Sequence, residues 1–228
     1  MQYGFYPSDA LPGYLPFVAQ ELSALWGDDL LNPETLRLDG EPVIRAVQWY
    51  IDLSQTYGIM PTLDELRHQS GDPILLGRAG MWLGWASERG GRLDVVEWPF
   101  RWGVAPLPRG SSDHTVAVMS LYAIPKAASN PEAAWQWLQF LADRTEQVNG
   151  WPARRSLAES DGFREQIGAD VYTGFRRAAE TSIVVSPGPE FERYAVALDQ
   201  AVRAAAEGLK PVDQALREAQ QRVEAASP

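Results

Sequence analysis

Tyr194, Leu198, Ala201, Val202 and Ala205 recur at helical spacing near the end of the chain, and Val212, Leu216, Ala219 and Val223 repeat the pattern after Gly208 to Pro211. Two such stripes in succession predict a pair of long amphipathic helices, each needing another apolar surface to cover it. Further stripes lie upstream. Leu15, Val18, Ala19, Leu22 and Leu25 predict a first helix with a stop at Gly27, Asp28 and Asp29. Val43, Val47, Tyr50 and Ser54 predict a second from about Pro42 to Tyr57, closed by Gly58. Pro61 permits a short helix through Leu66, and Asn130-Pro131-Glu132 starts another, backed by Ala134, Trp137, Leu138 and Leu141. On that helix Trp137 is expected inside and Trp135 partly outside.

Between the helices lie shorter runs of strand character: Gln2 to Tyr6, Gly80 to Trp85, Trp102 to Pro108 and Thr115 to Pro125. Few strands and many helices in mixed order predict an α/β or α+β layered fold rather than a helical bundle.

Composition excludes several functions. The formal net charge of -10, with no Lys/Arg cluster, argues against a nucleic-acid partner. The chain has no cysteine, hence no disulfide, thiol nucleophile or cysteine metal site. His68 and His114 lie far apart without ligand-like neighbours, so neither a metal site nor a histidine triad is expected, and no cofactor is implied. Asp28-Asp29 reads as a helix-end pair rather than as catalytic carboxylates, and no catalytic residue is assigned. The opening Met1 to Pro7 has neither the basic start nor the apolar run of an export signal, and no apolar stretch is long enough to span a bilayer.

Several segments, taken in order, resemble the sugar-type extracellular solute-binding proteins of ABC importers, the family that includes maltose-binding protein. Gly77-Arg78-Ala79-Gly80-Met81 with Gly84-Trp85 resembles the strand that delivers an aromatic residue to the cleft. Val104-Ala105-Pro106-Leu107-Pro108 resembles the strand leading into an interlobe crossing. Tyr122-Ala123-Ile124-Pro125-Lys126, followed by Ser129-Asn130-Pro131-Glu132-Ala133-Ala134-Trp135, resembles the return strand and the helix start after it, and is the most specific stretch. Trp151-Pro152-Ala153-Arg154 is similar to a family loop, and Ala215-Leu216-Arg217-Glu218-Ala219 to the terminal helix. In the family the cleft aromatic often lies farther beyond the methionine than Trp85 lies beyond Met81, which makes Ser87 a rival for that place.

The resemblance implies an α/β fold of the type II periplasmic binding protein class, mainly its second lobe, helix-rich with a small mixed sheet. It implies that the chain corresponds to the C-terminal portion, without the first lobe. Residues 1–114 would then belong to the second lobe, 115–160 would return to the first, and 161–228 would supply the C-terminal helices of the second. The implied function is to bind a carbohydrate or polyol-like solute in an interlobe cleft and deliver it to ABC permease transmembrane subunits, outside the cytoplasm and without catalysis. With its surface of residues 115 to 157 uncovered, the chain is expected to self-associate.

A sugar offers a flat C–H face and a rim of hydroxyls, so its site needs aromatic platforms and a few hydrogen-bonding groups. Trp85 and Gly84 are the first candidates. In a strand Trp82 and Trp85 face opposite sides, so only one lines the cleft; each has a core packing role as its alternative. Tyr122 offers a ring edge and a hydroxyl, and Arg154 a guanidinium that can fork onto vicinal hydroxyls. Trp151, Ser120 and Tyr6 complete the candidate set. Two alternatives stand beside this reading: a carbohydrate-active enzyme, which uses the same aromatics, and a helical protein-interaction module presenting exposed tryptophans.

Overall fold

A computed structural model describes residues 2–7, 13–26, 36–86, 98–118, 121–143, 150–184 and 189–226. The chain begins with β1 (Tyr3–Tyr6), α1 (Leu15–Trp26), α2 (Glu41–Gln55), α3 (Leu63–His68) and β2 (Ala79–Trp82). It continues with β3 (Thr115–Ala117), α4 (Pro131–Ala142), α5 (Arg155–Ala158), α6 (Asp161–Ile167), α7 (Ala169–Glu180) and β4 (Ser182–Val184). The helices α8 (Pro189–Ala206) and α9 (Val212–Ala225) close it. Gly27, Asp28 and Asp29, expected to stop the first helix, lie outside the described residues.

The stripes of α1, α2, α8 and α9 behave as their spacing requires. Val18, Ala19 and Leu22 of α1, Val43, Ala46, Val47 and Ile51 of α2, and the inward faces of α8 and α9 merge into one core with Leu36, Leu38 and Ile183. Pro42 sits in the first turn of α2, where its missing N–H costs no hydrogen bond. Gly208, at φ 71°, closes α8 in the left-handed conformation that glycine adopts without strain, and its N–H donates to Ala205 O at 3.0 Å. Gln220 is buried inside the apolar face of α9 because its Oε1 accepts the Leu38 N–H at 2.8 Å, giving a loop amide the partner it would otherwise lack. α3 carries a full capping box, Thr62 Oγ1 accepting from Glu65 N–H and the Glu65 carboxylate accepting from Thr62 N–H.

Where a small mixed sheet is expected, the described strands form two separate parallel pairs. β1 pairs with β2, Tyr3 opposite Ala79 and Tyr6 opposite Trp82. β3 pairs with β4, Thr115 opposite Ser182 and Ala117 opposite Val184. Parallel neighbours need long crossovers. α1, α2 and α3 lie in the first crossover, and α4 to α7 in the second. Phe5 ties the first pair to the helices: its ring meets Phe17 of α1 edge-on at 6.4 Å and its N–H donates to Ile59 O at 3.0 Å.

Two further expectations are corrected. Residues 102–108 form no strand; Pro106 and Pro108 have no N–H to give a ladder, and the backbone of Val104 lies directly against Gly174 of α7. Trp137, expected inside, is exposed like Trp135, since no residue of α4 is buried. The Val104 contact has a measurable consequence. A Cβ at Gly174 would stand 2.4 Å from Val104 O and 2.8 Å from Val104 C, both backbone atoms that cannot rotate away. Gly174→Ala is expected to destabilise the protein by about 1–3 kcal/mol through overpacking. Gly162→Ala in α6, whose Cβ would meet nothing within 4 Å, should be neutral or slightly stabilising. Thermal melts of the two variants decide; equal melts would show that the α7 packing yields freely.

Candidate functional site

In open α/β sheets, ligands gather in the space beyond the carboxyl ends of parallel strands. For the first pair those ends are Tyr6 and Trp82, which stand opposite one another in register. Beyond Trp82 the chain leaves the strand, Gly84 is exposed and Trp85 half-buried. Because the strand ends at Trp82, strand alternation does not set the direction of Trp85. For the second pair the ends are Ala117 and Val184, and Tyr122 follows β3 with its side chain largely in solvent. Ser120 and Ser87 lie outside the described residues.

The remaining candidates sit in more committed surroundings. Tyr6 is buried, its hydroxyl accepting a hydrogen bond from Gln69 Nε2 at 3.2 Å and its ring 6.3 Å from that of Tyr3. Burial, then the charge of Glu65, raises the pKa of the Tyr3 hydroxyl. Trp151 packs with Phe163 of α6 at 5.6 Å and Tyr172 of α7 at 5.5 Å, a satellite cluster that anchors the two helices to each other. Arg154 is the residue before α5 and pairs with Asp143 at the end of α4. The two loop candidates thus lie among α4 to α7, and the Gly84–Trp85 turn follows β2.

One group of rings is absent from the sequence-based set. Trp82 stacks on Trp98 with centroids 6.0 Å apart and planes 17° from parallel. Phe100 meets Trp82 at 6.4 Å and Trp98 at 5.6 Å, both edge-on, and Trp102 lies 5.6 Å from Trp98. All four are half-buried. The alternation Trp98, Phe100, Trp102 is a signal present in the sequence; it passes unnoticed when the run is taken to be a strand beginning at Trp102. These rings form an aromatic platform joined to the carboxyl end of β2.

The loop leading into β3 is held by one buried side chain of α1, also absent from the candidate set. Gln20 Nε2 donates to Pro108 O and His114 O, both at 3.1 Å, and its Oε1 accepts from Gly110 N–H at 2.9 Å. Ser112 Oγ donates to Gln20 O at 3.0 Å. Next to it, burial pulls the Glu21 carboxyl upward, but hydrogen bonds from Ser111 and Arg45 outweigh that, so it titrates below the usual carboxylate range. Among the described residues no group of His, Asp and Glu is arranged to hold a metal ion, and no helix is long and apolar enough to cross a membrane.

Comparison with solved structures gives the same fold. An ABC substrate-binding protein from Listeria monocytogenes in complex with cycloalternan superposes with a TM-score of 0.71 at 12% identity, over 97% of this chain and 58% of that one. Maltose-bound MalE3 of T. maritima gives 0.71 at 17% identity, over 98% and 60%. The maltose/maltodextrin-binding domain MalE of Bdellovibrio bacteriovorus, bound to maltotriose, gives 0.68 at 18% identity, over 98% and 59%. The chain therefore spans less than two thirds of the length of these structures, and at such identities they establish the type II periplasmic binding protein fold. No curated protein sequence matches the chain. Residues 1–148 match the family model described as bacterial extracellular solute-binding protein. That match, which spans β1 through α4, makes the chain a member of the bacterial extracellular solute-binding protein family.

Proposed function

We propose that the chain is part of the substrate-binding component of an ABC importer and binds a carbohydrate or polyol-like solute beyond the carboxyl end of β2. The observation that carries this reading is the platform of Trp82, Trp98, Phe100 and Trp102, whose half-buried rings suit the C–H face of a pyranose. Trp85 and the exposed Gly84 extend it, the glycine letting backbone approach the solute. Tyr122, Ser120 and Arg154 would supply polar contacts. Trp151 and Tyr6 would act by holding neighbouring elements rather than by stacking. The structures superposed above hold cycloalternan, maltose and maltotriose, which supports a carbohydrate as the solute. In this role the protein works outside the cytoplasm, makes and breaks no bond, and hands its solute to permease subunits by closing two lobes.

Because the chain spans only part of such a protein, binding by it alone should be weak, and saturation-transfer NMR is suited to weak complexes. With maltotriose, maltose and sorbitol in turn, transfer is expected to at least one solute, strongest at ring C–H protons. Trp85→Ala and Trp98→Ala should each cut that transfer by more than half. Absence of transfer to every solute would overturn the reading.

A further inference from the structure

Arg78 stands immediately before β2 and has no part in the solute-binding reading. Its carbonyl oxygen accepts the Tyr3 N–H at 2.7 Å, which extends the β1–β2 ladder by one residue. Alternation along that extended backbone sets Arg78, Gly80 and Trp82 on one face, the first and last about 13 Å apart along the strand. Between them Gly80 is exposed and offers no side chain. A Cβ placed there would have β1 backbone as its three nearest atoms: Gly4 O at 3.2 Å, Tyr3 O at 3.6 Å and Gly4 Cα at 3.8 Å. The result is a short lane with a backbone floor, a guanidinium at one end and an indole at the other.

On a chain of net charge -10 an exposed arginine ordinarily finds a carboxylate, as Arg45, Arg203 and Arg217 do. Arg78 is exposed and makes no ion pair or side-chain hydrogen bond among the described residues. Burial and Glu65 raise the pKa of the Tyr3 hydroxyl and Arg78 lowers it, so both charges stand near that ring. The Glu65 carboxylate is already taken, accepting from Thr62 N–H at 2.9 Å and from Thr62 Oγ1 at 3.1 Å. Whatever lies over this lane must therefore bring the counter-charge, since a covered guanidinium without one is costly. Trp82 at the other end suits the apolar face of a ring. Given the platform role proposed for Trp82, on which this step rests, we infer that Arg78 anchors an anionic group of the solute. The site then takes a saccharide bearing a carboxylate or a phosphate, its ring over Gly80 and against Trp82. The guanidinium forks onto two oxygens of such a group, and the glycine lets the ring lie close to the backbone.

Saturation-transfer titrations of the 228-residue chain with glucose, glucuronate and glucose 6-phosphate at low salt test this assignment. At least one of the two anionic sugars is expected to bind about tenfold more tightly than glucose, and comparing them tells carboxylate from phosphate. Arg78→Gln should bring that sugar to within about twofold of glucose. The position is exposed, so the melting temperature should hold. Arg78→Lys, which keeps the charge and loses the fork, should retain part of the preference. Arg101→Gln removes the same charge from a position that alternates away from the Trp98, Phe100 and Trp102 rings, and should leave the preference intact. Equal binding of all three sugars, a preference that survives Arg78→Gln, or one that Arg101→Gln removes just as well, would overturn the assignment while leaving carbohydrate binding in place. Absence of transfer to every sugar would instead overturn the solute-binding reading, and the assignment with it.

Discussion

Replacing Leu216 by alanine is expected to cost about 3–4 kcal/mol of unfolding free energy. The side chain is fully buried at the centre of α9, where that helix packs against α8 and α2. Its surroundings make the loss large. The buried positions of α8 include Ala201 and Ala205, and the neighbouring ones on α9 are Ala215 and Ala219. Alanines have no rotamer to swing into a void, and helices brought close by small residues cannot approach further, so the cavity left by the isobutyl group persists. The loss then contains the full transfer free energy and the cavity penalty together. Urea titration should show a lower midpoint with an unchanged slope. Leu209→Ala, at an exposed position between the same helices, should stay within about 0.5 kcal/mol of the parent. A loss below about 1 kcal/mol at Leu216 would mean that α8 and α9 close over the void.

Gln20→Leu should lower stability by about 2–4 kcal/mol, although leucine has nearly the volume of glutamine and adds apolar surface to a buried site. The reason is the set of groups left behind. Pro108 O and His114 O lose their side-chain partner at once, while Gly110 N–H keeps its bond to Ser112 O at 3.1 Å. An unsatisfied buried group costs about 1–3 kcal/mol, and those at the loop's outer edge recover part of that from water. The effect should also be local. Arg109 is exposed and lies within the stapled loop, so trypsin should cut after it faster in the variant than in the parent. Gln20→Glu is a useful intermediate: it keeps an acceptor for Gly110 N–H but meets two carbonyl oxygens with a carboxylate, and should not restore stability. Unchanged cleavage after Arg109 together with an unchanged melt would show that the loop is held by something other than Gln20.

The residues of the helical core were legible because their signal is local. Val43, Val47 and Leu216 recur every three or four positions, and that recurrence is the buried face of a helix whatever it packs against. The ordered motifs from Gly77 to Trp135 likewise pointed to the solute-binding family, which the match over residues 1–148 shows. Strand partners were not legible. β1 finds β2 across three helices and β3 finds β4 across four, and no feature of Tyr3–Tyr6 or of the three residues Ser182–Val184 names a partner that distant. Residues 102–108 have the composition of a strand, but the close approach of Gly174 gives Val104 a helix as neighbour instead. Of the candidate site, the sequence identified Trp85 as a ring beside a glycine, whereas only the folded chain gathers Trp82, Trp98, Phe100 and Trp102 into one platform. Periodicity records which side of an element is apolar; the surface that side meets depends on packing between residues far apart in the chain. For that reason α1, α2, α8 and α9 could be read from their own residues, while the parallel pairs, the staple at Gln20 and the uncovered stripe of α4 could be decided only by the tertiary structure.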